Sequence, residues 1–285
     1  MTSKSPLWMI ELRPDVQKAT AWMLEQERDI IRPGHDDGYG WHAILAAAFG
    51  DLAPKPFRLI EQPKHLRRRE YPECSVQLLA YTLANPTKLV DRARLECDPR
   101  PYQALAVEEL AHKPVPTSFE VGQRLGFEVR VRPTVRQDRD GNRRRSREKD
   151  AFLAALDAEP RPRFERPEIK REDVYRNWLT ARFGDAARIE PGSFRLEKLS
   201  RAMLLRPRQA ELGADAADSR RRDLVAVGLL KRGVEGEQGG SPDAVMHGSL
   251  TVSDPDAFHR LLARGIGRHR AFGFGMLLLR PLGRR

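Results

Sequence analysis

Only two cysteines, Cys74 and Cys97, occur in 285 residues, with no CxxC pair and no cysteine–histidine grouping at finger spacing. That pattern excludes a disulfide framework and a zinc module and leaves two reduced thiols. No run approaches the roughly 20 apolar residues that a bilayer-spanning helix needs, and Met1 to Trp8 lacks the apolar region of a secretory signal. These absences predict a cytoplasmic protein with no membrane partner. Nowhere do His, Cys, Asp and Glu gather at metal-ligand spacing, so neither a metal nor a cofactor is expected. Acid is missing at the C-terminus, where Phe258 to Arg285 holds seven arginines and no Asp or Glu.

What is present is a chain 40% apolar and 32% charged, enough to fold while leaving some segments highly charged. Its net charge of +11 is concentrated. Arg130 to Lys149 carries nine basic and three acidic residues, and with the arginine-rich end it accounts for more than the whole excess, leaving the remainder slightly acidic. Positive charge gathered in patches is the footprint of a polyanion partner, because each phosphate contact releases condensed counterions. The alternative is a solvated face in an arginine-rich protein.

Apolar periodicity divides the chain into two halves, with domains expected at 1–120 and 121–285. In the first, a strand at Leu7 to Arg13 precedes a helix from Asp15 to Ile30. A short helix with Trp41, Leu45, Ala48 and Phe49 on one face follows, then strands at Phe57 to Gln62 and Ser75 to Thr82 around a basic turn (Lys64, His65, Arg67 to Arg69). Asn85 to Pro116 carries a further helix into the second half. There, a strand sets Phe127, Val129 and Val131 against Arg130 and Arg132, and the charged loop Gln137 to Arg147 follows. A helix at Glu172 to Phe183, a strand near Phe194 to Leu205, and apolar runs at Ala226 to Leu230 and Gly248 to Val252 come next. Asp254-Pro255 is an N-cap with proline in the first turn, opening a helix that stops at Gly265, and a last strand spans Phe272 to Leu279. Each half reads strand, helix, two strands, helix, strand. The expected fold is α+β, two tandem ferredoxin-like (βαββαβ, RRM-like) domains.

Between the capped helix and the last strand runs Gly265-Ile-Gly267-Arg268-His269-Arg270-Ala-Phe-Gly273-Phe-Gly275. Glycines at this density permit close backbone approach and positive φ, while Arg268 and Arg270 supply charge at the same place, a combination that suits a phosphate backbone. A dinucleotide-binding loop would follow a strand and open a helix, the reverse of the order here. The alternative is a turn that only packs a strand edge.

This run, with Gly248 to Phe258 before it, closely resembles the C-terminal glycine-rich motif of the repeat-associated (RAMP) proteins of CRISPR systems. In particular it is similar to the CasE/Cse subfamily of type I-E, the endoribonuclease subunit of the Cascade complex. The match covers Gly248 to Pro281. Gly126 to Arg136 resembles the strand entering that family's basic RNA-contacting loop, and Tyr175 to Leu179 resembles its central helix. The resemblance implies a catalytic histidine in an N-terminal helix with a tyrosine three residues earlier, and Tyr39-Gly-Trp-His42 fits, since positions three apart share a helical face. The chain departs from the family in apparent insertions at Asp15 to Gly38 and around Gly213 to Asp243, and in having Arg270 where lysine is frequent.

The implied chemistry is metal-independent: the substrate's 2′-hydroxyl attacks the adjacent phosphorus, leaving a 2′,3′-cyclic phosphate and a 5′-hydroxyl. Histidine suits the proton transfers, so His42 is the candidate base or acid and Tyr39 its helper, with His269 the one rival histidine. Candidate RNA contacts are Arg130, Arg132, Arg136, Arg143, Arg144, Arg145, Gly265, Gly267, Arg268, Arg270, Gly273 and Gly275. Expected partners are a CRISPR repeat stem-loop RNA and other Cascade subunits. Two other readings remain open at this point: a non-catalytic subunit that holds processed guide RNA, and a general basic RNA-binding protein.

Overall fold

In the computed structural model, which describes residues 6–26, 35–61, 76–139, 142–161, 168–207, 224–227 and 240–282, the chain divides into two units. The first comprises Met1–Val115, Ala202–Gly240 and Ala271–Gly273; the second comprises Pro116–Arg201, Ser241–Arg270 and Phe274–Arg285. The first break lies between Val115 and Pro116, and two later stretches of chain return to the first unit. The basic turn at 64–69 and most of the two apparent insertions lie outside the described residues.

The first unit begins with β1 (Trp8–Leu12) and α1 (Val16–Leu24). Asp15 caps α1 by accepting from the Lys18 backbone N–H. The helix is shorter than its periodicity predicts, closing at Glu25 with the Gln26 amide donating to the Trp22 carbonyl. The short strand β2 (His35–Asp36) leads into α2 (Gly38–Phe49), whose Trp41, Ile44, Leu45, Ala48 and Phe49 form one buried stripe. Next come β3 (Phe57–Glu61), β4 (Val76–Thr82), α3 (Pro86–Glu96), α4 (Pro99–Ala104) and β5 (Ala111–Pro114). Asn85 and Asp98 cap α3 and α4, each followed by proline in the first turn.

The sheet order is β3-β4-β1-β5, antiparallel at every pairing, which is the split βαβ arrangement. Ile10 and Phe57 both pair with Ala80, so the three share one sheet face, and they belong to the core built with α1, α2 and α3. Each large side chain buried there contributes about 1.5–3 kcal/mol, which fixes the faces of α2 that remain outside.

The second unit opens with β6 (Arg124–Val131) and an antiparallel ribbon, β7 (Thr134–Arg139) and β8 (Asn142–Asp150). The charged stretch read as a loop is therefore strand at 137–139 and 142–147. Then come α5 (Ala151–Ala158), α6 (Arg171–Phe183), β9 (Ala187–Ile189) and β10 (Arg195–Pro207). The far end of β10 lies in the first unit, where it pairs with β2 and with β11 (Leu224–Val227). The chain re-enters the second unit with β12 (Ser241–Val252), α7 (Pro255–Arg264) and β13 (Leu277–Arg280). Strand order β10-β12-β6-β13 is again ferredoxin-like, with β6 antiparallel to both neighbours. Its core is built on T-shaped ring pairs, Phe119 with Phe258 and Phe127 with Phe183.

The last strand starts later than its apolar pattern predicts. Arg270–Phe272 form a single 3₁₀ turn, and Gly273 and Gly275 take φ of 81° and 79°, which a strand does not accommodate.

Candidate active site and basic ribbon

The buried stripe of α2 leaves Tyr39 and His42 on its flank, one turn apart and each half-buried. Within the same unit, the Phe272 ring meets both. Its centroid is 5.8 Å from Tyr39 and 5.4 Å from His42, edge-on to each, while the Tyr39 and His42 rings are 6.2 Å apart. The first turn of α2 reaches Phe272 because residue 38 has no side chain: a Cβ there would stand 2.3 Å from the Phe272 carbonyl oxygen. Asp36 fixes the entry by accepting from the Gly38 N–H at 2.9 Å, and the Trp41 indole donates to Asp37 at 2.7 Å.

Burial, and secondarily the charge of Lys55, hold the His42 imidazole below its usual pKa of 6.5. The ring is thus largely neutral at pH 7 and able to accept a proton. Neither Phe272 nor Lys55 is apparent from the sequence, since the first lies some 230 residues along the chain in a glycine-rich turn and the second is an ordinary lysine beside proline.

In the second unit the glycine-rich run wraps the end of α7. Asp254 caps that helix through the Asp256 and Ala257 N–H groups, and at its other end Arg270 donates to the Arg264 carbonyl at 2.6 Å. Arg270 therefore supplies a cation at the helix C-terminus. Gly267, at φ 74°, lies beneath the Trp178 ring, where a Cβ would be 3.1 Å from the indole. Gly275, at φ 79°, passes so close to Ile266 that a Cβ would be 2.2 Å from its carbonyl oxygen. Gly265 ends α7 at φ 73°. These glycines have packing reasons of their own, whatever ligand the loop takes.

Arg268 and His269 both reach Glu148 on β8. Arg268 Nε is 2.9 Å from one carboxylate oxygen, and His269 Nε2 donates at 3.1 Å to each of the two. Burial by itself would raise the Glu148 carboxyl; the His269 hydrogen bond and the charges of His269, Arg268 and Arg132 outweigh it and hold the pKa at about 2. His269 is thus engaged by Glu148, with its side chain 5% exposed. Glu148 was not among the expected site residues, although it is the single acid between Gly141 and Lys149.

Two expected RNA contacts, on the side that the strand alternation predicts, are not fully exposed. Arg132 is 1% exposed, and Arg130 is held by Asp243 through two hydrogen bonds, with its guanidinium 4.3 Å from the Phe274 ring centroid. Arg132 is thus an interior cation, while Arg130 is half-buried between Asp243 and Phe274. Arg136 is exposed on β7, directly across from Glu148, and Arg143, Arg144 and Arg145 lie on β8. The foot of the ribbon is clamped: the Trp178 indole donates to the Thr134 carbonyl at 2.9 Å, and Asp150 binds Arg171 and the Tyr175 hydroxyl.

Among the described residues no helix is long and apolar enough to cross a membrane. No curated protein matches the sequence. The fold is similar to that of "CRISPR endoribonuclease Cse3 bound to 19 nt RNA", at 18% identity and TM-score 0.53, covering 97% of this chain and 100% of that one. It is likewise similar to Thermus thermophilus Cse3 bound to an RNA representing a pre-cleavage complex, at 17% identity and TM-score 0.51, with 97% and 100% coverage. A chain of a "CRISPR RNA-guided surveillance complex" aligns at 16% identity and TM-score 0.50 over 96% and 100%. The family model described as "CRISPR associated protein" matches residues 7–281, nearly the whole chain, and the chain therefore belongs to the family of CRISPR-associated proteins.

Proposed function

We propose that this protein is the endoribonuclease that cuts precursor CRISPR RNA at its repeat stem-loop, works as a subunit of a Cascade-type complex in the cytoplasm, and needs no metal. Support for the substrate and assembly comes from family membership together with a fold similar to RNA-bound Cse3 and to a surveillance-complex chain. The observation that carries the chemistry is the meeting of Tyr39, His42 and Phe272 on the flank of α2.

In this reading the neutral His42 imidazole takes the proton from the ribose 2′-hydroxyl. The freed oxygen attacks the adjacent phosphorus, the bond from phosphorus to the 5′-oxygen breaks as that oxygen takes a proton from water, and a 2′,3′-cyclic phosphate and a 5′-hydroxyl result, with His42 left holding the 2′ proton. The lowered His42 pKa favours the base role, because the ring begins the reaction unprotonated. Tyr39, on the same helical face, positions the sugar, and Phe272 buttresses both rings. The basic ribbon and Arg268 hold the stem by its phosphates, consistent with an A-form duplex being read through backbone and shape.

The test is single-turnover cleavage of a repeat stem-loop in chelator by wild type and His42→Ala. The proposal expects a cyclic-phosphate product from wild type and a loss of about 100-fold or more in the variant, with binding retained. Unaltered cleavage in the variant would sink the catalytic assignment. Binding with no cleavage by either protein would instead mark a subunit that only holds guide RNA.

A further inference from the structure

Glu148 is an anomaly for the surface just described: a carboxylate in the most basic stretch of the chain, on a ribbon read as an RNA contact, where it would repel phosphate. Its geometry explains its presence. The side chain is 9% exposed and faces Arg268 and His269, with the Arg132 charge also acting on it. Its cross-strand neighbour is Arg136. His269 takes φ of 60°, a left-handed conformation that a residue with a Cβ adopts only when its surroundings compensate, and the two-oxygen contact with Glu148 is such a compensation. Arg268, by contrast, is anchored at the root and open at the tip. Its Nε makes an ion pair with Glu148 at 2.9 Å, its side chain is 40% exposed, and among the described residues it has no second ion pair. An ion pair at Nε leaves the planar outer edge, with its two amino groups, for a second anion and narrows the side-chain arrangements open to the arginine before that anion arrives.

We propose that Glu148 is a positioning residue: it ties the glycine-rich loop to the foot of the basic ribbon and aims the Arg268 guanidinium at a phosphate of the bound RNA. This rests on the RNA-binding reading above. Its carboxylate charge is consumed within the protein by its cationic neighbours, so that the surface gains an oriented donor pair while the acid adds little repulsion. An arginine without that anchor would have to give up its side-chain freedom on each binding event.

The inference is tested by measuring repeat stem-loop binding across about 50–200 mM KCl, a span over which phosphate contacts dominate the salt dependence. The set is wild type, Glu148→Gln, Arg268→Ala and the double variant, each also assayed for single-turnover cleavage. Arg268→Ala is expected to bind about tenfold more weakly and to lower the salt slope by about one, the signature of one lost phosphate contact. Glu148→Gln should do nearly the same, the double variant should be no weaker than Arg268→Ala alone, and the RNA concentration for half-maximal rate should rise while the saturated rate holds. A purely structural role for Glu148 would not reproduce the slope change or vanish in the Arg268→Ala background. Tighter or unaltered binding by Glu148→Gln overturns the proposal, as does a multiplicative loss in the double variant. Should the Gln variant fail to fold, Glu148→Asp, which keeps the charge and shortens its reach, is read in the same cycle. Absence of RNA binding by wild type would overturn the functional reading itself, a result distinct from a null effect of Glu148→Gln in a protein that binds.

Discussion

Replacing Gly38 with alanine tests whether the geometry around His42 depends on the close approach of α2 to the turn at residues 270–272. The added methyl would stand 2.3 Å from the Phe272 carbonyl oxygen and 2.6 Å from Asp36 Oδ1, whereas ordinary contact begins near 3.4 Å. A backbone carbonyl cannot rotate out of the way as a side-chain tip can, so helix and turn must separate by about 1 Å to restore contact distance. Helix propensity favours alanine by about 1 kcal/mol, and overpacking costs about 1–3 kcal/mol. The net loss is therefore of order 1 kcal/mol, a fall of about 3 °C in Tm for a chain of this size. Activity should suffer far more, because a displacement of about 1 Å at reacting groups costs on the order of 100-fold. The assay is single-turnover cleavage of repeat RNA beside thermal unfolding. Gly40→Ala is the control: its methyl would meet the Met23 sulfur at 2.7 Å, and a thioether side chain can give way. Wild-type cleavage by Gly38→Ala with a raised Tm would refute the claim that this contact sets the site.

The remaining predictions concern charge, backbone and capping. Lys55→Met removes the lesser of the two causes lowering His42, so the imidazole titration followed by NMR should move upward yet stay below 6.5, because burial remains. Since the folded pKa lies below the unfolded one, the stabilising contribution of His42 is present above pH 6.5 and is lost as pH falls through the folded value; the melting difference between wild type and His42→Gln should shrink on that acidification. Gly275→Ala forces a Cβ to 2.2 Å from the Ile266 oxygen at φ 79°, and should cost about 3 kcal/mol or more in denaturant unfolding. Asp254→Ala removes the cap from two N–H groups of α7 and should lower stability by about 1 kcal/mol, about 3 °C in Tm.

Elements whose ends carry their own chemistry are legible in the amino-acid sequence. Asp254-Pro255 and Gly265 bracket α7 within a residue, and the same acceptor-proline pairing stands at Asn85-Pro86 and Asp98-Pro99, where α3 and α4 begin inside a segment that periodicity alone leaves ill-defined. The two-half ferredoxin order is legible because each strand and helix buries a distinct apolar set. Which face of a strand is covered is not legible: β6 alternates as expected, yet Arg130 is half-buried against Phe274 and Arg132, just beyond the strand, is buried. Local spacing puts Tyr39 and His42 on one helical face, whereas Phe272 joins them only through tertiary structure, and the approach at Gly38 depends on a carbonyl that no residue type announces.

The two-stranded ribbon has a consequence for substitutions within it. Isolated ribbons of two strands are marginal in water, but this one is gripped near its base, at Thr134 by Trp178, at Glu148 by the glycine-rich run, and at Asp150 by Arg171 and Tyr175. Folding thus places its demands on the foot. On the proposed function, substitutions between Gln137 and Arg147 would alter RNA contacts while the residues that grip the foot stay in place.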